Sequence, residues 1–148
     1  MASQIIDFRV RLPNELRPAM EVPKEVTEQY DAVLDMSAKI EQTLDDMRTE
    51  MDANGVGHAV VHAEFEVGDP ADALNEAVAK LVKAEPERFT GMGTISLDPL
   101  HIMRAVGQAE ACAKAGMVGV TIQASFFHMA MTDRRLYPVY AKAAELDL

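Results

Sequence analysis

A parallel α/β sheet covered by helices is the fold that this sequence predicts, and three observations predict it. Apolar runs of strand length alternate with segments of helical period along the whole chain. Turn or stop signals separate them, giving the unit strand then helix four times over. The runs are also too uniformly apolar to leave one face of a sheet wet. With 148 residues, 49% of them hydrophobic and 26% charged, the chain reads as a single globular domain, 1–148, and not as a disordered or repetitive one.

The first strand covers residues 4–12, an apolar run that becomes alternating and is closed by Pro13-Asn14. Pro13, Pro18 and Pro23 then forbid a regular element, so a loop follows. A helix is predicted over 25–37 and another over 40–53, the second with Ile40, Leu44, Met47 and Met51 along one face and Asn54-Gly55 as its stop. Residues 57–63 are too short and too apolar for an amphipathic helix and form the second strand. Asp69-Pro70 opens a helix over 71–84 with Leu74, Val78, Leu81 and Val82 inward, and Glu85-Pro86 ends it. The third strand is 89–97. Asp98-Pro99 begins a helix with Ile102, Val106, Ala109 and Ala113 inward, and Ala115-Gly116 stops it. Residues 118–123 are the fourth strand, and 135–148 a last helix burying Leu136, Val139 and Tyr140. Two architectures satisfy this order: an open doubly wound sheet, or an arc of a (β/α)8 barrel.

Charge and composition exclude several functions. There are 14 Lys and Arg against 24 Asp and Glu, a formal net charge of -10, and no basic run that could neutralise phosphates, so nucleic acid is not an expected partner. No apolar run reaches the roughly 18 residues needed to span a bilayer, and the opening MASQIIDF lacks the pattern of a secretory leader. No membrane partner and a cytoplasmic location are the expectation, consistent with a single cysteine, Cys112. Cys112 reads as a small core residue, Met47, Met51 and Met103 as helix core, and Met129 and Met131 as a flexible apolar cover after the fourth strand.

In both architectures ligands sit at the C-terminal ends of the strands. The first strand brings Arg9 and Arg11 there, two residues apart and therefore on one side, with Asp7 in the same register. Two guanidinium forks would anchor a carboxylate or phosphate, unless they are spent on Asp7, Glu64 or Glu66 in an ion-pair network. The second strand brings His62, Glu64 and Glu66, where His62 is the candidate acid and base; a satisfied polar cluster is the plainer alternative. The third offers Thr94 and Ser96. The fourth offers Gln123 and Ser125, suited to orienting a substrate, and His128 further on. No phosphate loop and no Cys/His metal spacing occurs. His58 and His101 are expected away from these strand ends.

The phrases IIDFRVRLP, IEQTLDDMRTEMDANGVGHAVVH, KAEPERFTGMGTISLDP, AKAGMVGVTIQAS and DRRLYPVYAKAAELDL resemble the amidohydrolase-related metal-dependent hydrolases, in particular their aminocarboxymuconate-semialdehyde decarboxylase-like branch. The resemblance covers nearly the whole chain apart from a loop and extra helix at 13–39. It implies the N-terminal half of a TIM-like (β/α)8 barrel and a hydrolase or decarboxylase ancestry. Where that family's first strand ends in His-x-His, two metal ligands, this chain has Arg9 and Arg11, which cannot coordinate a divalent cation. No metal site is expected from this chain itself, and zinc or manganese would need ligands from a partner.

Four βα units with two open strand edges lead to an expected homo-oligomer, or a hetero-oligomer with a chain carrying the second half-barrel, unless the sequence is a stretch of a longer product. The expected activity is that of a subunit of a hydrolase or decarboxylase acting on a small anionic substrate, with Arg9 and Arg11 holding the anion, His62 exchanging protons, and Gln123 and Ser125 orienting. The alternative is a non-catalytic structural or regulatory subunit that completes a partner barrel.

Overall fold

The computed structural model describes residues 5–19, 23–34 and 41–148. Four strands, β1 (Ile5–Arg11), β2 (Val56–His62), β3 (Phe89–Thr94) and β4 (Val120–Thr121), alternate with α1 (Lys24–Leu34), α2 (Leu44–Ala53), α3 (Ala71–Ala84), α4 (Ile102–Lys114) and α5 (Tyr137–Glu145). Every strand pair is parallel and the order in the sheet is β1-β2-β3-β4. That order decides between the two predicted architectures. A doubly wound sheet reverses its strand order at a switch point, whereas a barrel adds each strand beside the last. The chain is half of a TIM-like barrel.

One sheet face carries the helices. Ala59, Val61 and Ala63 of β2 and its extension are wholly buried against Met47 and Met51 of α2 and Leu74, Val78 and Leu81 of α3. A second cluster joins Ile95 and Leu97 to Ala105 of α4 and to Leu136 and Val139 beside α5. The opposite face is concave. His62 of β2 reaches Thr121 of β4, Nδ1 to Oγ1 at 3.0 Å, although β3 lies between those strands.

Local chemistry sets the element ends. α2 starts at Leu44, later than the apolar period suggests, because Thr43 caps it: Asp46 N donates to Thr43 Oγ1 at 3.1 Å and Thr43 N to Asp46 Oδ2 at 2.9 Å. Gly55, at φ +68°, turns the chain into β2. Gly93 sits where a Cβ would lie 2.2 Å from Cys112 Sγ, so α4 packs onto β3 at backbone distance only because the position is glycine.

Several sequence expectations change. The fourth strand shortens to Val120–Thr121, and the third stops at Thr94. β1 is not uniformly buried: Ile5, Ile6 and Phe8 are 53%, 59% and 69% exposed, because β1 is an edge strand. Met103 is on the outer surface of α4, 78% exposed, and not in the core. His58 is where it was expected, in the first half of β2 and away from the strand's C-terminal end, bonded to Thr90 Oγ1 at 2.8 Å. The end of the predicted 25–37 helix and the start of the 40–53 helix, Ile40 included, fall outside the described residues.

Candidate functional site

The concave face at the C-terminal ends of β1 and β2 gathers Arg9, Arg11, His62, Glu64 and Glu66. β1 and β2 pair with a register shift between Asp7 and Val10: Asp7 lies opposite Ala59, Val10 opposite Val61 and Arg11 opposite His62. Ala59 and Val61 face the helices, so Asp7 and Val10 share that side and Arg11 is on the concave side with His62. The simple alternation that put Asp7, Arg9 and Arg11 on one side is thus broken by a bulge-like irregularity. Arg9 and Arg11 nonetheless converge on one acid.

That acid is Glu64, whose side chain is 1% exposed. Arg9 donates from Nε to Oε1 at 3.0 Å and from Nη2 to Oε2 at 3.1 Å, and Arg11 donates from Nε to Oε2 at 3.0 Å. Arg11 Nη2 also bonds Glu66 Oε1. Burial pushes the Glu64 carboxyl up, but the bonds and charges of Arg9 and Arg11 outweigh it and hold the group below its usual range. The Glu64 bond in turn raises Arg9. Even so, the two arginine side chains remain 67% and 40% exposed. Each fork therefore has one side fixed on carboxylate and Nη1 outside the ion pairs named, a preorganised arrangement for a second anion.

His62 is 7% exposed and both ring nitrogens are occupied. The Phe8 carbonyl, 2.9 Å from Nε2, can only accept, so Nε2 carries the hydrogen. Nδ1 then accepts from Thr121 Oγ1 in the neutral ring and stands 3.7 Å from Glu64 Oε1. Proton exchange by His62 would run through Nδ1.

The other sequence candidates are apart from this cluster. Thr94 is engaged with Asn75 and with the Thr121 carbonyl, and Ser96 with Gln108. Gln123, just past β4, has a buried Oε1 with no hydrogen-bond partner, while Ser125 is exposed in a short 3-10 turn. His128 is exposed with a left-handed backbone, φ 52°. Two contributors escaped the sequence reading. Thr121 is one, and Arg17 is the other, half-buried with Nη2 3.5 Å from the Glu64 carbonyl. Their signal was positional: each lies at or just beyond a strand's C-terminal end.

The donor set does not suit a divalent metal. Arg9 and Arg11 are permanent cations, Glu64 already accepts three hydrogen bonds, and His62 offers only Nδ1. Among the described residues no group of three His, Cys, Asp or Glu side chains stands close enough to hold an ion, and no helix is long and apolar enough to cross a membrane.

No family model matches the chain. Over 85 residues, 53% of this chain and 25% of the relative, it is 31% identical to a 2-keto-4-carboxy-3-hexenedioate hydratase of Sphingobium sp. (strain NBRC 103272 / SYK-6). Among solved structures, it superposes on 5-carboxyvanillate decarboxylase from Sphingomonas paucimobilis with a TM-score of 0.72 at 20% identity, covering 97% of this chain and 49% of that one. The 5-carboxyvanillate decarboxylase of Novosphingobium aromaticivorans DSM 12444, complexed with manganese and 4-hydroxy-3-methoxy-5-nitrobenzoic acid, gives 0.65 at 17%, covering 99% and 49%. The 4-oxalomesaconate hydratase of Rhodopseudomonas palustris gives 0.63 at 17%, covering 97% and 50%. The chain spans about half the length of these structures and a quarter of the curated relative. Over that share its fold is that of these decarboxylases and of this hydratase.

Proposed function

We propose that this half-barrel forms the anion-holding wall of a lyase- or hydrolase-type active site for a small carboxylate-bearing molecule. The other half of the barrel would come from a further stretch of polypeptide or from a second chain. The observation that carries this reading is the pair of guanidiniums fixed on buried Glu64 yet still exposed to solvent. The kinds of substrate named for the relatives, aromatic and aliphatic carboxylates, support the same class.

In this reading the Nη1 groups of Arg9 and Arg11 receive a substrate carboxylate and stabilise negative charge that develops beside it. His62 exchanges a proton through Nδ1, its ring held by the Phe8 carbonyl. Gln123, with its unpaired buried carbonyl oxygen, orients a substrate hydroxyl or amide, and Ser125 lies on the rim. Any manganese or zinc would have to be held by residues outside this chain.

A second reading, a non-catalytic subunit that stabilises a partner barrel, is favoured by one observation: the charges of Arg9 and Arg11 are already matched by Glu64 and Glu66. Turnover of aromatic carboxylates by the native assembly, with the masses of all its chains measured, separates the two. The proposal expects Arg9→Ala with Arg11→Ala to cut kcat/KM by at least about 100-fold, roughly the loss of one or two charged contacts to the transition state. Unchanged turnover in an assembly of unchanged mass would transfer the case to the structural subunit.

A further inference from the structure

β1 and β4 each have a single neighbour in the sheet, so the outer N–H and C=O groups of both lack a ladder partner. Large apolar side chains stand exposed along these same two edges: Ile5, Ile6 and Phe8 on β1, Val118 and Met131 on either side of β4, and Tyr137 at the head of α5. Whatever closes the barrel must offer one parallel strand to β1 and another to β4. A second copy turned about the barrel axis offers both, because a two-fold along that axis keeps every strand parallel.

The stagger of the sheet fixes how two copies would meet. His62 pairs with Met92 and Gly93 with Val120, so the ladder sets His62 level with Gly119. Its ring nevertheless bonds Thr121, two residues further along β4. The sheet thus climbs about one residue per strand, as an eight-stranded barrel with a shear of about 8 does, and half a turn displaces one edge against the other by about four residues. With that displacement a partner's β4 laid beside β1 sets Val118 next to Ile5, Ile122 level with Val10 and Gln123 level with Arg11. The sides agree as well. Arg11 and Gln123 fall on the concave side with His62 and Thr121, and the apolar residues fall on the helix-bearing side.

Two further features of the edges complement each other. Gln123 has a side-chain carbonyl oxygen with no donor among the described residues, and Arg11 is a partly exposed donor. On the helix-bearing side of β1 a cavity of about 580 Å³ lies open beside Val10, Met47 and Met51. Barrel helices return over the outside between their own strand and the next, so the partner's α5 would enter that space, with Tyr137, Ala141 and Ala144 exposed on it at helical spacing.

We propose that two copies of this chain close one eight-stranded barrel, β1 of each pairing with β4 of the other, so that the partner's Gln123 stands beside Arg11. This rests on the anion-site reading above and deepens it by naming the chain that completes the site.

The test is sedimentation equilibrium of the full chain, together with cross-linking. The native chain should sediment at twice its mass of 16.2 kDa. Ile5→Asp and Val118→Asp should each raise the dimer dissociation constant by at least about tenfold, whereas Met103→Asp, on the outer surface of α4, should not. A short bismaleimide should join copies carrying Ile5→Cys with Val118→Cys into a covalent dimer, and should not join copies carrying Met103→Cys with Val118→Cys. Where an aspartate variant fails to fold, the cysteine pair carries the comparison. A native chain that stays monomeric on concentration overturns the proposal, as does a larger open-ended assembly, or a dimer indifferent to the edge variants and not joined through the Ile5 and Val118 positions. Monomer would leave the anion wall to be completed by another polypeptide. A closed dimer that turns nothing over would keep the closure and remove only the catalytic reading.

Discussion

Glu64 receives Arg9 through two nearly parallel bonds, Nε to Oε1 at 3.0 Å and Nη2 to Oε2 at 3.1 Å, with the acid 1% exposed and the arginine 67% exposed. The pair therefore has one buried member and one wet one. Coulomb attraction across such a boundary is screened on the arginine side, so the acid's need for donors outweighs the gain from the pair itself.

Replacing that acid gives the first prediction. Glu64→Gln keeps the shape but leaves Arg9 and Arg11 facing an amide, one of whose ends is itself a donor. A loss of about 2 kcal/mol is expected, below the value for a fully buried pair because both arginines reach water. The pH dependence has a definite sign. Glu64 is held below its unfolded value of 4.5, so its contribution is complete above about pH 4.5 and is lost as pH falls through the folded value. Urea midpoints measured from neutral pH down to about pH 3 should fall more steeply for the native chain than for Glu64→Gln. Parallel curves would mean that Glu64 is not held by its arginines.

Gly93 and Cys112 provide the second. A Cβ on residue 93 would stand 2.2 Å from Cys112 Sγ and 2.9 Å from Met117 Sδ. Gly93→Ala should cost about 1–3 kcal/mol through overpacking. Adding Cys112→Ala should return part of it and not all, since Met117 remains. Burial pushes the Cys112 thiol up to about 11, so thiolate is scarce at neutral pH. Iodoacetamide should leave the native chain unlabelled and modify it rapidly in urea, and fast native labelling would show that α4 does not stay docked on β3.

Gln108 ties α4 to the end of β3. Its Oε1 accepts from Ser96 N at 2.8 Å, and its Nε2 donates to Asp72 Oδ1 at 2.7 Å and to Ser96 Oγ at 2.8 Å. Gln108 is 5% exposed and Ser96 1%. Gln108→Leu strands a buried N–H and should cost about 2 kcal/mol. Arg104→Gln, which removes exposed bonds to Asp69 and Asp72, should cost less than Gln108→Leu does. The Gln108 bond is also the main reason that Asp72 lies below its usual range, with Arg104 second. Carboxyl titration by NMR should therefore show Asp72 rising in both variants and more in Gln108→Leu.

How far the sequence carried depended on whether the deciding physics was local. α3 came out residue for residue, Ala71–Ala84, because Asp69-Pro70 and Glu85-Pro86 punctuate both ends and its period is clean. α2 began at Leu44 because the reciprocal Thr43 and Asp46 bonds stop the helix there, although the apolar period reads on to Ile40. The irregularity between Asp7 and Val10 has no residue signature, since it arises from pairing with β2. Sequence position alone brought Arg9, Arg11, His62 and Glu64 to the same strand ends. It could not reveal that Glu64 is saturated, that His62 has one usable nitrogen, or that Arg17 folds back onto Glu64, because each depends on contacts between distant residues.

Metal affinity gives the last prediction, because it separates this chain's own donors from those of its relatives. The manganese-bound decarboxylase it resembles is twice as long, so metal in that protein says nothing about which half holds it. Here the strand-end donors are two cations, a carboxylate with three bonds already made, and an imidazole whose Nε2–H is given to a carbonyl. A metal binding only the folded chain would raise its stability by RT ln(1 + [M]/Kd). Binding at this cluster would first have to strip Arg9 or Arg11 from Glu64. Millimolar manganese or zinc should therefore shift the Tm by less than about 1 °C, and EDTA should leave it unchanged. An ion retained at one equivalent through dialysis, and lost in His62→Ala or Glu64→Gln, would show that the arginines yield to metal and that the site is built differently from the one described.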